Sequence, residues 1–123
     1  MSKILIIDDA KFTRTMLKRM INELGHEIIE AANGREGLDM ICNEQPDIVL
    51  VDIHMPEMDG IELLTVLSET HTDVHVIVVS ADVQEITKDK CINLGVSEFF
   101  NKPPDKEKLK IAIEKLLNKG KQD

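Results

Sequence analysis

The sequence predicts an α/β protein with a doubly wound, five-stranded parallel sheet in which a strand and a helix alternate five times. Two observations support this fold class: five short apolar runs rich in Ile and Val recur along the chain, and stretches with helical spacing separate them. Strands that alternate with helices pair in parallel through right-handed crossovers. Runs such as ILII, IVLV and VIVV are apolar throughout, which is typical of a sheet covered on both faces. A closed eight-stranded barrel would need about twice this length.

The first helix is expected between the first two strands. The predicted strands are residues 3–7, 26–31, 47–51, 75–79 and 96–100. After the first of them, one helical face carries Phe12, Met16, Met20 and Leu24. Gly25 follows, and glycine favours the left-handed conformation that ends many helices.

The other four helices follow the same alternation. Asn33 precedes Glu36 by three residues, which is a capping-box spacing, and Pro46 follows the second helix. The inner face of that helix is expected to carry Leu38, Ile41 and Cys42. The remaining helices are predicted over residues 61–67, 83–94 and 106–117, and the last has an inner stripe of Leu109, Ile113, Leu116 and Leu117.

Composition limits the functional classes. The 123 residues suit one domain, expected to span residues 1–123, with an ordinary globular content of 42% hydrophobic residues. A net charge of −8 argues against a nucleic-acid partner, because binding to a phosphate backbone needs a cationic surface. No segment approaches the roughly 20 apolar residues of a membrane span. We therefore expect a cytoplasmic protein without a membrane partner, in which Cys42 and Cys91 are reduced, buried core residues.

Polar residues stand at the carboxyl ends of the apolar strands. Asp8 and Asp9 follow the first strand, Asp52 follows the third, Ser80 follows the fourth, and the fifth runs into Lys102. In open parallel sheets, ligands bind at this edge, where the strand order reverses. These side chains are therefore expected to converge on one site.

The carboxylates of this edge indicate a cation site. Each Asp taken singly would more often be a helix cap or turn former, but three converging carboxylates repel one another unless a cation or a proton is bound. Mg²⁺ fits best, since it takes oxygen ligands and is held by one or two carboxylates together with phosphate oxygens. Ca²⁺ would need more oxygens, and the four histidines show no zinc-ligand spacing.

A carboxylate beside a cation can attack a phosphoryl group and form an acyl phosphate. Lys102 and the metal would neutralise the transferring oxygens, and the Ser80 hydroxyl could donate a hydrogen bond to them. The loop from His54 to Gly60 contains Pro56, and Gly60 is expected to permit a positive φ. The Lys102–Pro103 bond is left open as cis or trans.

Four motifs together resemble one known family. They are ILIIDD at residues 4–9, VLVDIHMPEMDG at 49–60, VVSA at 78–81 and FFNKPP at 99–104. The chain resembles response-regulator receiver domains of the stand-alone, CheY-like type over nearly its whole length. That resemblance implies a flavodoxin-like fold with strand order 2-1-3-4-5.

The resemblance also implies roles for individual residues. Asp52 would be the phosphoacceptor, and Mg²⁺ would be held by Asp8, Asp9, Asp52 and the backbone carbonyl of His54. Ser80 and Lys102 would contact the phosphoryl group. Phe99 matches the aromatic switch position of the family, while a plain core phenylalanine is the alternative. His54 and Asp82 occupy positions that tune hydrolysis of the acyl phosphate, although the spacing of Asp82 to Glu85 favours a helix cap.

The expected function is that of a two-component signalling response regulator. A sensor histidine kinase or its phosphotransfer domain would donate the phosphoryl group, and a protein target would bind residues 83–94 and 96–117, with a phosphatase as a possible further partner. Chemotaxis or motility is the expected setting, and a phosphorelay carrier or phosphate sink is the alternative. We do not expect the protein to be an enzyme, because its catalysis would be limited to self-phosphorylation and slow autodephosphorylation.

Two other classes are less favoured by the sequence. A metal-dependent aspartyl-phosphate phosphatase would require a second Asp where His54 stands. A flavin or dinucleotide carrier would require a GxGxxG fingerprint, or Tyr and Trp residues for stacking, and the chain has neither Tyr nor Trp.

Overall fold

Strands and helices alternate along the chain as the sequence predicts. The computed structural model describes residues 2–70 and 72–120. The strands are β1 (Lys3–Ile7), β2 (Glu27–Ala31), β3 (Ile48–Val51), β4 (His75–Ser80) and β5 (Glu98–Asn101). The helices are α1 (Lys11–Ile21), α2 (Gly34–Glu44), α3 (Gly60–Glu69), α4 (Glu85–Asn93) and α5 (Lys106–Gly120), and a short 3-10 turn, Asn22–Leu24, follows α1.

All strand pairs are parallel, and the strand order is β2-β1-β3-β4-β5. The predicted order 2-1-3-4-5 is therefore confirmed. In register, Ile7 lies opposite Ala31 on one side and Val51 on the other, and Ser80 lies opposite Asn101. β1 has β2 on one side and β3 on the other, so the chain connects to one neighbour first and later returns to the opposite side of β1. The reversal of strand order therefore lies beside the end of β1.

The core forms two layers because successive strand residues face opposite sides of the sheet. On one side, Leu5 and Ile7 pack with side chains of α2, α3 and α4. On the other side, Ile4 and Ile6 pack with side chains of α1 and α5. The predicted inner stripe of α5 is confirmed, with Leu109 and Ile113 fully buried. Within the described residues, none of the helices is long and apolar enough to cross a membrane.

Two sequence-based expectations about buried faces are wrong. The buried residues of α1 are Thr13, Leu17 and Ile21, whereas Phe12 is 81% exposed. The pattern misled because Phe12 is one residue, or about 100° around the helix, away from a stripe that begins with a polar Thr. Cys42 is exposed in the same way beside buried Ile41, and only Cys91 is a buried cysteine.

The helix ends agree with the sequence in part. Gly25 and Gly95 adopt positive φ values of 80° and 92°, and the side chain of Asn33 caps α2 by accepting from the backbone N–H of Glu36 at 2.8 Å. Asp82, however, is not the cap of α4. The helix begins later, with Gln84 as its N-cap residue.

Gly60, which follows the loop after β3, does not have the positive φ that the sequence predicted for it. Gly60 is the first residue of α3 and the positive φ of that loop belongs to Glu57, at 67°. A Cβ atom on Gly60 would lie 2.4 Å from the backbone oxygen of Asp52. Glycine is thus required here because the helix begins in close contact with the end of β3.

Candidate functional site

Backbone pairing brings the carboxylates to one edge of the sheet. The N–H of Asp52 donates to the carbonyl of Ile7 at 3.1 Å, and the N–H of Asp8 donates to the carbonyl of Ala31 at 3.2 Å. Both acidic residues therefore continue the ladder by one residue beyond the strands that carry them. This fixes Asp8 and Asp52 side by side at the carboxyl ends of β1 and β3.

Three carboxylates meet there. One oxygen from each of Asp8, Asp9 and Asp52 lies within 4.8 Å of the others. Asp8 is 1% exposed and Asp52 7% exposed, while Asp9 is exposed to solvent. The cluster therefore has a buried inner side and one side open to solvent.

Lys102 supplies the positive charge on the inner side. Its Nζ lies 2.9 Å from Oδ2 of Asp8 and 3.0 Å from Oδ2 of Asp52. The backbone N–H of Lys102 donates to the carbonyl of Ser80 at 2.9 Å, which extends the pairing of β4 and β5, and the Lys102–Pro103 peptide bond is cis. Burial lowers the pKa of Lys102, but the two carboxylates outweigh it and the net pKa is raised. Lys102 is therefore held as a cation between the two buried carboxylates.

The environment of Asp8 disfavours the ionised form of its carboxyl group, so its pKa is raised. Burial raises its pKa, although hydrogen bonds from the Ala10 N–H and from Lys102 oppose this shift, and the nearby charge of Asp52 adds to it. The remaining oxygens are also bonded: Oδ1 of Asp8 accepts from the N–H of Ala10 at 2.8 Å, and Oδ1 of Asp52 accepts from the N–H of Ile53 at 2.7 Å. A further cation would relieve the repulsion that remains.

Ser80 and the loop after it form the second part of the site. Ser80 is fully buried, and its Oγ accepts from the N–H of Asp82 at 3.0 Å. The Asp82 carboxylate is held by three donors: the N–H of Gln84 at 3.0 Å, the hydroxyl of Thr87 at 3.0 Å and Nε2 of His54, which lies 2.9 Å from Oδ2. The His54 side chain is 70% exposed. The loops that follow β3 and β4 are thus joined by one side-chain pair.

Phe99 lies outside the carboxylate cluster. It is half-buried on β5, opposite Val78 of β4, and packs against the core layer that contains α2, α3 and α4. The neighbouring Phe100 packs against the opposite layer. Phe99 therefore occupies a position between the core and the surface.

The donor set suits Mg²⁺. Three clustered carboxylate oxygens, two from buried residues and one from the exposed Asp9, match an ion that prefers oxygen ligands and retains several waters. Asp8, Asp9 and Asp52 are the residues that could hold it. The backbone carbonyl of His54 remains a predicted further ligand.

Sequence reasoning missed two charged residues beside the cluster. Arg14 donates from Nη1 to the backbone oxygen of Asp8 at 2.6 Å and from Nε to Oε1 of Glu30 at 3.1 Å. The available signal was an arginine early in the predicted first helix, combined with an acidic residue in the predicted second strand. Neither residue type is unusual alone, so their partnership required the structure.

Comparisons with known proteins agree with this geometry. The family model "Response regulator receiver domain" matches residues 4–114. Sporulation initiation phosphotransferase F of Bacillus subtilis is 37% identical over 94% of this chain and 93% of that protein. The chemotaxis protein CheY of Thermotoga maritima is 37% identical over 93% of this chain and 96% of that protein.

Solved structures give the same fold. The Francisella response regulator 1452 receiver domain is similar with a TM-score of 0.91 and 28% identity, covering 98% of this chain and 99% of that one. A CheY-like receiver domain protein from Methanospirillum hungatei has a TM-score of 0.90 and 30% identity, covering 100% of this chain and 99% of that one.

The fold and site define an α/β protein with a lysine-paired acidic cluster at the switch point of an open parallel sheet. The match to the family model and the identities above give the family. The chain belongs to the response regulator receiver domains, a family of two-component signalling.

Proposed function

We propose that this chain is a Mg²⁺-dependent phosphoacceptor in which Asp52 receives a phosphoryl group from a histidine kinase or its phosphotransfer domain. The observation that carries the proposal is the environment of the Asp52 carboxylate. It is buried, it shares an oxygen cluster with Asp8 and Asp9, and it contacts the ammonium group of Lys102 at 3.0 Å. Three carboxylates that converge at one edge of a sheet repel one another, so their convergence favours a functional site.

The chemistry follows from the two oxygens of Asp52. A carboxylate oxygen forms a bond to the phosphorus of a phosphohistidine, the P–N bond breaks, and the imidazole nitrogen leaves and takes up a proton. Lys102 is already within hydrogen-bond distance of Asp52 Oδ2, so its charge faces the oxygens that become negative in transfer. Mg²⁺, when bound, neutralises phosphoryl oxygens at the same place. The backbone N–H of Ile53 keeps the carboxylate oriented.

The proposed output is a change in a protein-binding surface. The phosphoryl group favours the state in which the Ser80 hydroxyl and the loop after it move toward Asp52. Phe99, half-buried on β5, then turns inward. The surface that would report this change comprises α4, β5 and α5, where Ile86, Ile92 and Ile111 are exposed.

The pathway proposed is chemotaxis or motility. The support is similarity to proteins named chemotaxis protein CheY at 37% and 39% identity. Similarity of the same order to sporulation initiation phosphotransferase F favours the alternative of a phosphorelay carrier or sink. Both uses need the same acceptor. A phosphatase of phosphoesters is disfavoured because His54 replaces the second acid.

In this proposal the protein catalyses only its own phosphorylation and slow autodephosphorylation within a single domain. His54 and Asp82 tune the second reaction, because His54 stands two residues after Asp52 and its imidazole is held by Asp82. A partner phosphatase would bind the surface that comprises α4, β5 and α5.

The experiment is the intact mass of the protein after incubation with acetyl phosphate, with and without Mg²⁺, compared with Asp52→Asn. The proposal predicts a phosphoryl adduct that needs Mg²⁺, is lost in hydroxylamine, and is absent from the variant. Equal, saturable uptake by Asp52→Asn would contradict it.

A further inference from the structure

One charged side chain links α1 to the backbone of the acidic turn. The Arg14 guanidinium donates from Nη1 to the carbonyl oxygen of Asp8 at 2.6 Å. Its Nε donates to Oε1 of Glu30, on β2, at 3.1 Å. The Arg14 side chain is 14% exposed. A nearly buried guanidinium therefore bridges the end of β1 and the neighbouring edge strand.

The carbonyl of Asp8 needs such a donor because of where it lies. Asp8 is the first residue after β1, and its N–H is bonded to Ala31. Its carbonyl points beyond the last paired residue of the strand, and a buried carbonyl without a donor is costly. Arg14 supplies the bond from the end of the first turn of α1, as the fourth residue of that helix. Thus both backbone groups of Asp8 are fixed from outside β1.

Glu30 fixes the orientation of the guanidinium. Its Oε1 accepts from Arg14, and its Oε2 lies 3.4 Å from Nζ of Lys18, which is one helical turn further along α1. Because Glu30 balances the charge of Arg14, the effect of Arg14 on the acidic cluster is exerted through backbone position. A planar guanidinium can donate in two directions at once, which a lysine ammonium cannot do with the same geometry.

We propose that Arg14 is a positioning residue that holds the Asp8–Asp9 turn in the geometry required to bind Mg²⁺, with Glu30 as the residue that orients it. This inference rests on the proposed function, since it assigns Mg²⁺ to the cluster of Asp8, Asp9 and Asp52. Residues that hold metal ligands in place without touching the metal change its affinity by roughly 10–100-fold when replaced.

A positioning role makes a prediction that differs from a role in stability alone. Loss of Arg14 raises the Mg²⁺ concentration needed for half-maximal phosphorylation, while the rate at saturating Mg²⁺ changes little. A residue that only stabilises the fold would lower the melting temperature and leave the Mg²⁺ dependence of the folded protein unchanged.

The test titrates Mg²⁺ into ¹⁵N-labelled protein and follows the backbone amide signals of Asp9 and Ala10. Arg14→Lys is compared with Lys18→Ala, which removes the other cation bound to Glu30 without contacting Asp8. The Mg²⁺ dependence of phosphorylation by acetyl phosphate is measured on the same samples. Glu30→Gln is a second variant, so the inference is tested even if Arg14→Lys does not fold.

The expected result is a Mg²⁺ dissociation constant raised roughly tenfold in Arg14→Lys, less in Glu30→Gln, and unchanged in Lys18→Ala. If the wild type binds Mg²⁺ and the Arg14 and Glu30 variants bind it equally well, this inference is wrong while the proposed function stands. If the wild type itself binds no Mg²⁺, the proposed function and this inference both fail.

Discussion

Nε2 of His54 lies 2.9 Å from Oδ2 of Asp82, a residue 28 positions later in the chain. The contact joins the loop after Asp52 to the loop after Ser80. Asp82 also receives the N–H of Gln84 and the hydroxyl of Thr87. The hydrogen bond from Gln84 is the main cause that lowers the pKa of Asp82, followed by the bond from His54. The Asp82 carboxylate therefore holds the imidazole of His54 in place and ties the two loops together.

We predict that His54→Ala shortens the lifetime of the phosphoryl group on Asp52, because removal of the held imidazole gives water easier access. Asp82→Asn should act in the same direction by releasing the ring. The half-life is measured by intact mass after acetyl phosphate is removed. His26→Ala is the matched control, since His26 bonds to Glu114, away from the acidic cluster. If the effects of His54→Ala and Asp82→Asn simply add, the two residues do not act as a pair.

Asp8→Asn is predicted to stabilise the protein in Mg²⁺-free buffer at neutral pH. The pKa of Asp8 is raised, chiefly by burial. A carboxyl with a raised pKa in the folded state favours folding below its ordinary pKa, and this contribution is lost as the pH rises through the folded pKa. At neutral pH the buried charge is therefore a net cost that Asn removes.

The measurement is thermal unfolding with EDTA and with excess Mg²⁺. Wild type should gain stability with Mg²⁺ because the ion binds the folded state, and Asp8→Asn should lose that gain. A variant that is less stable than wild type without Mg²⁺ would show that the Lys102 pair outweighs the burial cost.

Ser80→Ala is predicted to accept a phosphoryl group but to lose the coupled movement of Phe99. The Ser80 hydroxyl is the group that would donate a hydrogen bond to the phosphoryl oxygens. Alanine lacks this hydroxyl but otherwise has nearly the same size and shape as serine. The chain has three phenylalanines, so 4-fluorophenylalanine gives a simple ¹⁹F spectrum. In wild type the Phe99 signal should shift on phosphorylation, and in Ser80→Ala it should not. An equal shift in both proteins would remove Ser80 from the switch.

Gly60→Ala is predicted to slow phosphorylation and to cost roughly 1–3 kcal/mol of stability, because its Cβ would lie 2.4 Å from the Asp52 backbone oxygen. Gly25→Ala is the matched control. A Cβ atom on Gly25 would have no neighbour within 4 Å, but the residue has a φ of +80°, so alanine there should cost about 1–2 kcal/mol in backbone strain. Because this strain lies away from Asp52, phosphorylation should be unchanged. Rates of adduct formation and urea unfolding of both variants decide the matter. Equal rates would show that the end of β3 tolerates displacement.

The sequence predicted the sheet because local and global signals agree along the strands. The Ile and Val runs of β1, β3 and β4 are buried on both faces, as is typical of a covered parallel sheet, and Asp8 and Asp52 directly follow two of those runs. The convergence of Asp8, Asp52 and Lys102 was accordingly predictable from strand ends alone. Here a residue's place along the chain fixes its place in space.

What failed depends on side-chain direction or on partners distant in sequence. Phe12 and Cys42 have apolar character and helical spacing, yet each lies one residue away from the stripe that packs on the sheet. Asp82 has a capping spacing, but His54 and Thr87 bind its carboxylate instead. Arg14 acquires its importance only where β2 brings Glu30 beside it. A local pattern does not encode such cross-element pairs.

The most direct test of the central claim is to identify the residue that carries the phosphoryl group. Protein treated with acetyl phosphate and Mg²⁺ is reduced with borohydride, which converts an aspartyl phosphate to homoserine, and the peptides are sequenced by mass spectrometry. The account predicts homoserine at Asp52 and at no other acidic residue, with none formed when Mg²⁺ is withheld. Homoserine at Asp8 or Asp9, or an unmodified Asp52 in a protein that carries the adduct, would contradict it.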